Sequence, residues 1–368
     1  MSLQPLFTLR GHNTGVTALT QIDFDGEACL VSGDQEGTVI FWDLVTFKQI
    51  TSYQRLCNSQ IQSIRVIQLE CAENLSTVLV VQSRNNGLSL FHTTRDKLVH
   101  LANYDTYEAL FSRGDAISRH NGTAVLAYPS CLNNHFVTVR LLGAGAKTIL
   151  SGSAQRFQED DSKKGSLFDI KIKQDNSSYL LFVAYEDATI CAFSLNLQDT
   201  LHVPVLDSRG IKIEMVKKFG LDFKDFITSL DVRLVDDKYN IICGAPTNNV
   251  YVIATPRDLR SPQVDEVDQI KLKKRGVSTI TTYIDCDIAA IACWDSSIVL
   301  YSLNSKNPIT TLSNHTKQVQ DLIFLDGSKI YEEHHDSPEP KPHGPSYANK
   351  LLLCCASMDG TISLTYIR

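Results

Sequence analysis

Residues 30–44 decide the fold: Leu30-Val31-Ser32-Gly33-Asp34-Gln35-Glu36-Gly37-Thr38-Val39-Ile40-Phe41-Trp42-Asp43-Leu44. Two apolar runs flank a polar turn centred on Glu36-Gly37, and the second run ends in Trp42-Asp43. Upstream lies the pair Gly11-His12, followed by the apolar run Val16–Ile22. A Gly-His pair, a strand, and then a strand–turn–strand unit that ends in Trp-Asp are typical of one four-stranded propeller blade.

The rest of the chain predicts further, more divergent copies of this unit. Stretches with the helical period are nearly absent, and short runs of Val, Ile, Leu, Phe and Thr are broken by Gly, Asn, Asp and Ser. The turn before the third strand of each copy falls near residues 37, 87, 135, 188, 248, 297 and 360. We therefore predict an all-β fold, a seven-bladed β-propeller that occupies residues 1–368 as a single domain.

The two ends of the chain predict how the ring closes. The last copy stops at its third strand, and Pro5–Leu9 is a lone strand before the first Gly-His pair. An open ring would expose apolar surface and unpaired backbone. We therefore expect Pro5–Leu9 to form the outer strand of the last blade.

Three segments lengthen the repeat beyond its usual period of roughly 40–45 residues. The longest, 329–349, contains four prolines and no apolar periodicity, which predicts a surface loop inserted in the last blade. Gln158–Lys164 is interpreted as a shorter loop of the same kind, and Val203–Lys218 as a third insertion.

Composition and charge argue against some classes of function. Hydrophobic residues make up 43% of the chain and charged residues 21%, with a formal net charge of −6. These values are ordinary for a globular protein and argue against direct binding of nucleic acid or a membrane surface. Without a secretory signal or an apolar run of membrane-spanning length, we expect an intracellular protein. The ten cysteines contain no Cys-x-x-Cys pair, and those in apolar strands are expected to be buried free thiols.

The first blade predicts a buried hydrogen-bond chain. His12 is expected to bridge the Ser32 hydroxyl and an acidic residue of the turn, which is Glu36 at the usual aspartate position. The indole of Trp42 would complete the chain.

The last blade carries a matching set, His315, Ser357 and Asp359, with Thr365 at the tryptophan position. Ser, His and Asp together also suggest a catalytic triad. Because the residues recur at repeat spacing and no Gly-x-Ser-x-Gly turn between strand and helix exists, the structural role is favoured.

A cluster of possible metal ligands, His334, His335, Asp336 and His343, lies in the proline-rich segment. A metal site needs ligands that the fold holds in place, and no strand or helix fixes their spacing. We therefore predict neither a metal nor another cofactor, and no catalytic residue.

Turns at one end of a propeller surround the mouth of its central channel, so exposed residues there are candidates for a partner interface. Trp294 and Asp295 occupy such a turn in the sixth blade, Tyr185 and Glu186 in the fourth, and Arg84 in the second. The alternative for Trp294 is packing against the neighbouring blade.

The strongest basic cluster is Lys271-Leu272-Lys273-Lys274-Arg275. The favoured interpretation is an outer strand with one solvated face, followed by its loop. The alternatives are a nuclear localisation signal or a contact with an acidic partner.

The quoted stretch, with Leu9-Arg10-Gly11-His12 before it, resembles the WD-repeat superfamily. More narrowly, the chain is similar to the ASTRA-associated group within that superfamily. This likeness extends to Val80–Gly87 in the second blade and to Ala356–Ser363 at the end, whereas the middle blades have lost Gly-His and Trp-Asp.

The resemblance implies a WD40 propeller without enzymatic activity. It implies a scaffold subunit of a nuclear multi-subunit complex, with the cytoplasm as a second compartment. Such a complex is linked to chromatin remodelling and acts with Tel2–Tti co-chaperones on phosphatidylinositol-3-kinase-related kinases. Two alternatives stay open: an adaptor in ribosome assembly or in a ubiquitin ligase, and a propeller hydrolase.

Overall fold

Seven four-stranded antiparallel sheets make up the chain in the computed structural model, which confirms the seven-bladed all-β prediction. The structure describes residues 3–24, 27–71, 74–94, 97–106, 112–131, 135–154, 165–176, 178–197, 210–220, 226–263, 265–274, 276–283, 287–327 and 350–367. One short 3₁₀ turn, Ala144–Ala146, lies among the strands. The same ranges contain no helix that is long and apolar enough to cross a membrane.

The first four blades follow one another along the chain, each from its inner to its outer strand. Blade 1 comprises β2 (Val16–Phe24), β3 (Glu27–Asp34), β4 (Val39–Asp43) and β5 (Gln49–Tyr53). Blade 2 comprises β6 (Ile61–Cys71), β7 (Asn74–Ser83), β8 (Gly87–Thr93) and β9 (Leu98–Tyr104). Blade 3 comprises β10 (Asp115–Ser118), β11 (Ala124–Pro129), β12 (Val137–Leu142) and β13 (Thr148–Ala154). Blade 4 comprises β14 (Leu167–Asp175), β15 (Ser178–Tyr185), β16 (Thr189–Asn196) and β17 (Lys212–Gly220).

The remaining three blades complete the ring, and the last combines strands from both ends of the chain. Blade 5 comprises β18 (Ser229–Val235), β19 (Lys238–Gly244), β20 (Asn249–Pro256) and β21 (Glu266–Lys271). Blade 6 comprises β22 (Val277–Tyr283), β23 (Ile288–Cys293), β24 (Ile298–Ser302) and β25 (Asn307–Leu312). Blade 7 comprises β26 (Val319–Asp326), β27 (Leu351–Ser357), β28 (Thr361–Tyr366) and β1 (Phe7–Arg10).

The ring closes as the sequence predicts. Strand β1 pairs antiparallel with β28, with Phe7 opposite Leu364 and Arg10 opposite Thr361. Just before β1, the Leu6 amide donates to the Leu364 carbonyl over 2.7 Å. The first residues of the chain therefore supply the outer strand that the last blade lacks.

The turn between β3 and β4 shows why glycine is required in the quoted stretch. Gly37 adopts a φ of +82°, which disfavours residues with a Cβ. A Cβ at this position would lie 1.7 Å from the Cys57 carbonyl oxygen. Because backbone from the next blade approaches this closely, Gly37 fixes both the hairpin and its fit against blade 2.

The core consists of seven apolar clusters, each between two neighbouring blades. The cluster between blades 7 and 1, for example, joins Leu30 and Trp42 to Leu352 and Leu364. Both faces of each sheet are therefore buried, which explains why the second and third strands form near-continuous apolar runs instead of alternating ones.

A ring of polar contacts surrounds the axis inside these clusters. At every junction between neighbouring blades, a side chain of one inner strand bonds to the backbone of the next. The contacts are Leu19 N–Asp321 Oδ2 (2.8 Å), Thr17 Oγ1–Ile61 O (2.6 Å), Gln68 N–Ser118 Oγ (2.8 Å), Ile172 N–Asp115 Oδ2 (2.8 Å), Leu230 N–Asp169 Oδ2 (2.8 Å), Thr282 N–Asp231 Oδ2 (2.8 Å) and Ser278 Oγ–Val319 O (2.7 Å). These bonds fix the inner strands relative to one another.

One of the three predicted insertions needs correction. Val203–Lys218 is not wholly an insertion, because its second part enters β17 (Lys212–Gly220), the outer strand of blade 4. The alternation of Lys212 and Glu214 with Ile213 and Met215 is typical of a half-buried strand and was a signal available in the sequence. The segments 158–164 and 329–349 lie outside the described residues.

Candidate functional site

The hydrogen-bond chain of blade 1 runs from an indole to a carboxylate. Trp42 Nε1 donates to Ser32 Oγ over 2.8 Å, and Ser32 Oγ lies 2.7 Å from His12 Nε2. His12 Nδ1 contacts Asp34 Oδ2 at 2.9 Å. A carboxylate only accepts, so the Nδ1–H donates to Asp34 and Nε2 accepts from the serine hydroxyl. These hydrogen bonds join the loop before β2 to strands β3 and β4.

The carboxylate in this chain belongs to Asp34, whereas the sequence assigned it to Glu36. Glu36 is exposed, and its backbone N–H donates to Asp34 Oδ1 over 2.9 Å. The Thr38 amide donates to the same oxygen. Burial opposes ionisation of Asp34, but the hydrogen bonds from His12 and the two amides hold its pKa below the ordinary value. The position beside His12 Nδ1 is filled by Asp34, while the side chain of Glu36 is exposed.

In blade 7, the hydrogen-bond partners of the histidine come from different positions of the repeat. His315 Nδ1 lies 3.0 Å from Asp359 Oδ2, and His315 Nε2 lies 2.8 Å from Ser363 Oγ. Ser357, which the sequence assigned to this set, instead donates to the Lys317 carbonyl over 3.0 Å and accepts the Asp359 amide. Ser357 lies three residues before the turn glycine Gly360, as Asp34 lies three residues before Gly37. The histidines of the two blades therefore bond to side chains at different positions of the repeat.

Burial decides between the structural and the catalytic interpretation of these sets. Ser32 and Ser363 are both 0% exposed, and the side chains of His12 and His315 are at most 1% exposed. A nucleophilic hydroxyl must reach a substrate carbonyl. Here Ser32 Oγ already accepts the Trp42 N–H and faces His12 in the interior. The arrangement ties strands together and presents no hydroxyl to a substrate.

Most of the described cysteines are poor candidates for a nucleophile. Seven of the eight described free cysteines are buried, and only Cys131 is exposed. Burial raises the pKa of Cys243 to about 12 and that of Cys293 to about 11, which disfavours the thiolate. Within the described ranges, no three His, Cys, Asp or Glu side chains form a metal-binding group. The predicted alternative ligands His334, His335, Asp336 and His343 lie outside those ranges.

Five turns between second and third strands share one backbone contact and thereby define one end of the ring, the mouth face. At each turn, one amide donates to a carbonyl at the start of the inner strand of the same blade. The donors are Gln35, Arg84, Glu186, Trp294 and Met358, and their acceptors are Gly15, Gln60, Ser166, Gly276 and Gln318.

Arg113 crosses the axis near this mouth. Its backbone forms an isolated bridge with Asp169 of blade 4, while its side chain reaches the opposite side of the ring. There Nη2 donates to the Gln320 carbonyl over 2.6 Å, and Nη1 lies 3.4 Å from Asp321 Oδ1. The side chain lines a cavity of about 160 Å³ at the mouth, together with Trp294. This volume is smaller than the roughly 300–1,000 Å³ of typical small-molecule sites.

The structure places Trp294 and Asp295 on the mouth face. Trp294 is 46% exposed, and its indole covers Gly276, where an added Cβ would lie 2.1 Å from Cδ2. Asp295 accepts from Ser297 and forms an ion pair with Lys274 at 2.9 Å. Trp294 therefore contacts its own blade on one side and presents its other side to solvent.

The other three interface candidates differ in exposure. Glu186 is exposed, and its Oε2 accepts the Ser166 amide over 2.9 Å. Arg84 is partly buried. Tyr185 is 1% exposed and belongs to the core cluster between blades 3 and 4, so it does not lie on the surface as expected. It is the last residue of β15, one position before the exposed turn, and points inward.

Sequence reasoning missed the polar residues around the axis. Asp115, Asp169, Asp231 and Asp321, with Arg113, bind neighbouring or opposite blades. The sequence did carry a recurring signal for them. Asp169, Asp231 and Asp321 each interrupt an apolar inner strand, and a charged group within such a strand needs a partner.

Comparison with known proteins agrees with this geometry. Residues 3–43, which extend from β1 to the end of β4, match the family described as WD40, "WD domain, G-beta repeat". The crystal structure of Chaetomium thermophilum Raptor matches with a TM-score of 0.63 at 15% identity, over 99% of this chain. This chain spans 29% of the Raptor chain, and the likeness concerns the fold alone. The chain is a seven-bladed β-propeller whose first blade matches the WD40 family.

Two curated proteins are similar to this chain along most of its length. Guanine nucleotide-binding protein subunit beta-like protein 1 of Mus musculus is 24% identical over 325 residues, which cover 87% of this chain and 90% of that protein. ASTRA-associated protein 1 of Schizosaccharomyces pombe is 22% identical over 362 residues, which cover 89% of this chain and 94% of that protein. The resemblance to the ASTRA-associated group drawn from the sequence agrees with both.

Proposed function

We propose that this propeller is a non-enzymatic scaffold subunit of an ASTRA-type complex. The observation that carries the proposal is its similarity to ASTRA-associated protein 1 of Schizosaccharomyces pombe along 89% of the chain. The Ser-His-Asp sets of blades 1 and 7 are buried in the fold, which favours binding over catalysis. A rigid ring with turns of different chemistry on one face suits simultaneous contact with several proteins.

The proposal extends to partners and location. The complex acts in the nucleus, is linked to chromatin remodelling, and supports maturation of phosphatidylinositol-3-kinase-related kinases together with Tel2–Tti co-chaperones. In this role the chain contributes surfaces and holds its partners in fixed relative positions. Its partners are proteins, without direct contact to nucleic acid or membrane.

Affinity purification of the tagged full-length chain from its own cells, followed by mass spectrometry, tests the proposal. We expect large kinase-related proteins together with co-chaperones, recovered from the nuclear fraction. Recovery of ribosomal precursors or ubiquitin-ligase subunits in their place would overturn the complex assignment and support the adaptor alternative. An untagged strain controls for nonspecific recovery.

A further inference from the structure

The loop between blades 5 and 6 is held in place by its backbone. At its start, the Leu272 amide donates to the Asn248 carbonyl over 2.7 Å, and Asn248 Nδ2 returns a bond to the Leu272 carbonyl. At its end, the Gly276 amide donates to the Thr247 carbonyl and the Trp294 amide to the Gly276 carbonyl, each over 2.9 Å. The loop is thus fixed to turns of two blades, and its side chains project from a rigid base.

This loop carries exposed positive charge although the whole chain is negative. Lys271, Lys273 and Lys274 are all exposed, while the net charge of the chain is −6. Lys274 is held by Asp295 at 2.9 Å. Among the described residues, neither Lys271 nor Lys273 has an ion-pair partner. Arg275, the last residue of the basic cluster, lies outside the described part of the chain.

An exposed aromatic ring adjoins these charges. Trp294 presents the face that does not cover Gly276, and the ion pair between Asp295 and Lys274 joins its turn to the basic loop. Tryptophan is enriched among the residues that contribute most to binding at protein interfaces, and the neighbouring lysines give this surface a positive charge. We call Lys271, Lys273, Lys274 and Trp294 the Trp294 platform.

We propose that the Trp294 platform binds an acidic peptide segment of a partner protein. Carboxylates of the segment pair with Lys271 and Lys273, for which the described residues supply no acidic partner, and an apolar side chain packs on the indole. The cavity beside Trp294 is too small for a cofactor, so an extended peptide lying across the surface fits better. The inference rests on the proposed scaffold function and adds the chemistry of one partner.

Fluorescence anisotropy with the full-length chain tests the site. The probe is a labelled heptapeptide, Glu-Asp-Glu-Leu-Glu-Asp-Glu, and the control peptide has Gln and Asn in place of the acids. We expect the acidic peptide to bind at low ionic strength and to weaken with salt. Lys273→Glu and Trp294→Ala should each weaken binding about tenfold or more.

Matched surface variants separate the site from general charge effects. Lys212→Glu changes an exposed lysine of β17, and Ile309→Ser changes an exposed apolar residue of β25. Both should bind the peptide like the unaltered chain, with unchanged melting temperatures for all four variants. Equal weakening by Lys212→Glu, or no binding by the unaltered chain, would overturn the proposal. Tighter binding of a single-stranded RNA of seven nucleotides, lost in Lys273→Glu, would overturn it in favour of a polyanion site.

Failure of this inference is distinguishable from failure of the scaffold function. If the unaltered chain and Lys273→Glu retrieve the same kinase-related complex and the peptide does not bind, the platform proposal fails alone. If the peptide binds through the platform but no such complex is retrieved, the scaffold assignment fails and the site stands.

Discussion

Replacing Arg113 by Leu tests whether one side chain ties opposite sides of the ring together. Arg113 comes from the segment before blade 3, and its guanidinium donates to the Gln320 carbonyl of blade 7 over 2.6 Å. A weaker contact joins Nη1 to Asp321 Oδ1 at 3.4 Å. Leucine is shorter than arginine and has no donor, so it fills part of the space and removes both contacts, together with a marginal one from Nη1 to Thr279 Oγ1 at 3.5 Å.

The expected loss follows from these contacts. A hydrogen bond from a charged donor stabilises a fold by about 1.5–3 kcal/mol. The longer contact to Asp321 adds less than about 1 kcal/mol, because water reaches both side chains, which are 21% and 13% exposed. Asp321 keeps the amides of Leu19 and Leu322 as donors and is not left unpaired. We expect a destabilisation of about 2–3 kcal/mol.

Scanning calorimetry measures this loss. With an unfolding entropy of about 2.1 cal/mol/K per residue, a chain of 368 residues should melt about 3 °C lower. Arg260→Leu is the matched control, because Arg260 is 61% exposed and pairs with Glu214 on the rim. This control should lower Tm by less than about 1 °C. Arg113→Lys should fall between the two, since an ammonium group still reaches one acceptor but lacks the fork.

If Arg113→Leu melts with the unaltered chain, or no lower than Arg260→Leu, then the contact across the axis contributes nothing measurable. The ring would then be held by its seven junctions alone.

Three further perturbations test other parts of the structure. His12→Ala removes the buried hydrogen bonds to Asp34 Oδ2 and Ser32 Oγ and should cost about 3 kcal/mol, measured as a Tm lower by about 4 °C. Unchanged partner recovery would support a structural role, whereas loss of a catalytic turnover in a stable fold would indicate an enzyme. Gly276→Ala should displace Trp294, because a Cβ meets the indole, and should destabilise the fold by about 1–2 kcal/mol, because φ is +76°. Altered tryptophan fluorescence in the folded chain checks the displacement, and an unchanged spectrum contradicts it. Burial lowers the pKa of His315 below its ordinary 6.5, so the unfolded chain binds more protons and stability should decline as pH falls below 6.5. Urea unfolding across this range should show a shallower decline for His315→Gln, and identical slopes would exclude His315 as the cause.

The strands that the sequence predicts best are those buried on both faces. Residues of β3 and β27 are almost entirely buried and form long apolar runs, so composition alone locates them. The outer strands are harder to locate. In β21, five of six residues are exposed, and charged and apolar residues mix without a clear period. Their position depends on pairing with the third strand of the same blade, which local sequence does not encode.

Within the predicted hydrogen-bond sets, the residue types were easier to predict than the partners. The choice of Asp34 over Glu36 depends on how the turn directs each side chain. In blade 7, Ser363 reaches the histidine from the third strand, a position that blade 1 fills with Ile40. Contacts of this kind need the register of three strands. The Arg113 contact needs the closed ring, since it joins residues 207 positions apart.

The turns of the mouth face share their backbone contacts and differ in their side chains. On the mouth face, five turns make the same backbone hydrogen bond but present Gln35, Arg84, Glu186, Trp294 and Met358. A shared backbone contact fixes each position, while five different side chains at equivalent places give the face an uneven distribution of charge and apolar surface. The side chain of Arg113 crosses the axis and lines the cavity at the mouth. A protein that contacts this face meets the side chains of its turns, among which Trp294 is 46% exposed and covers Gly276.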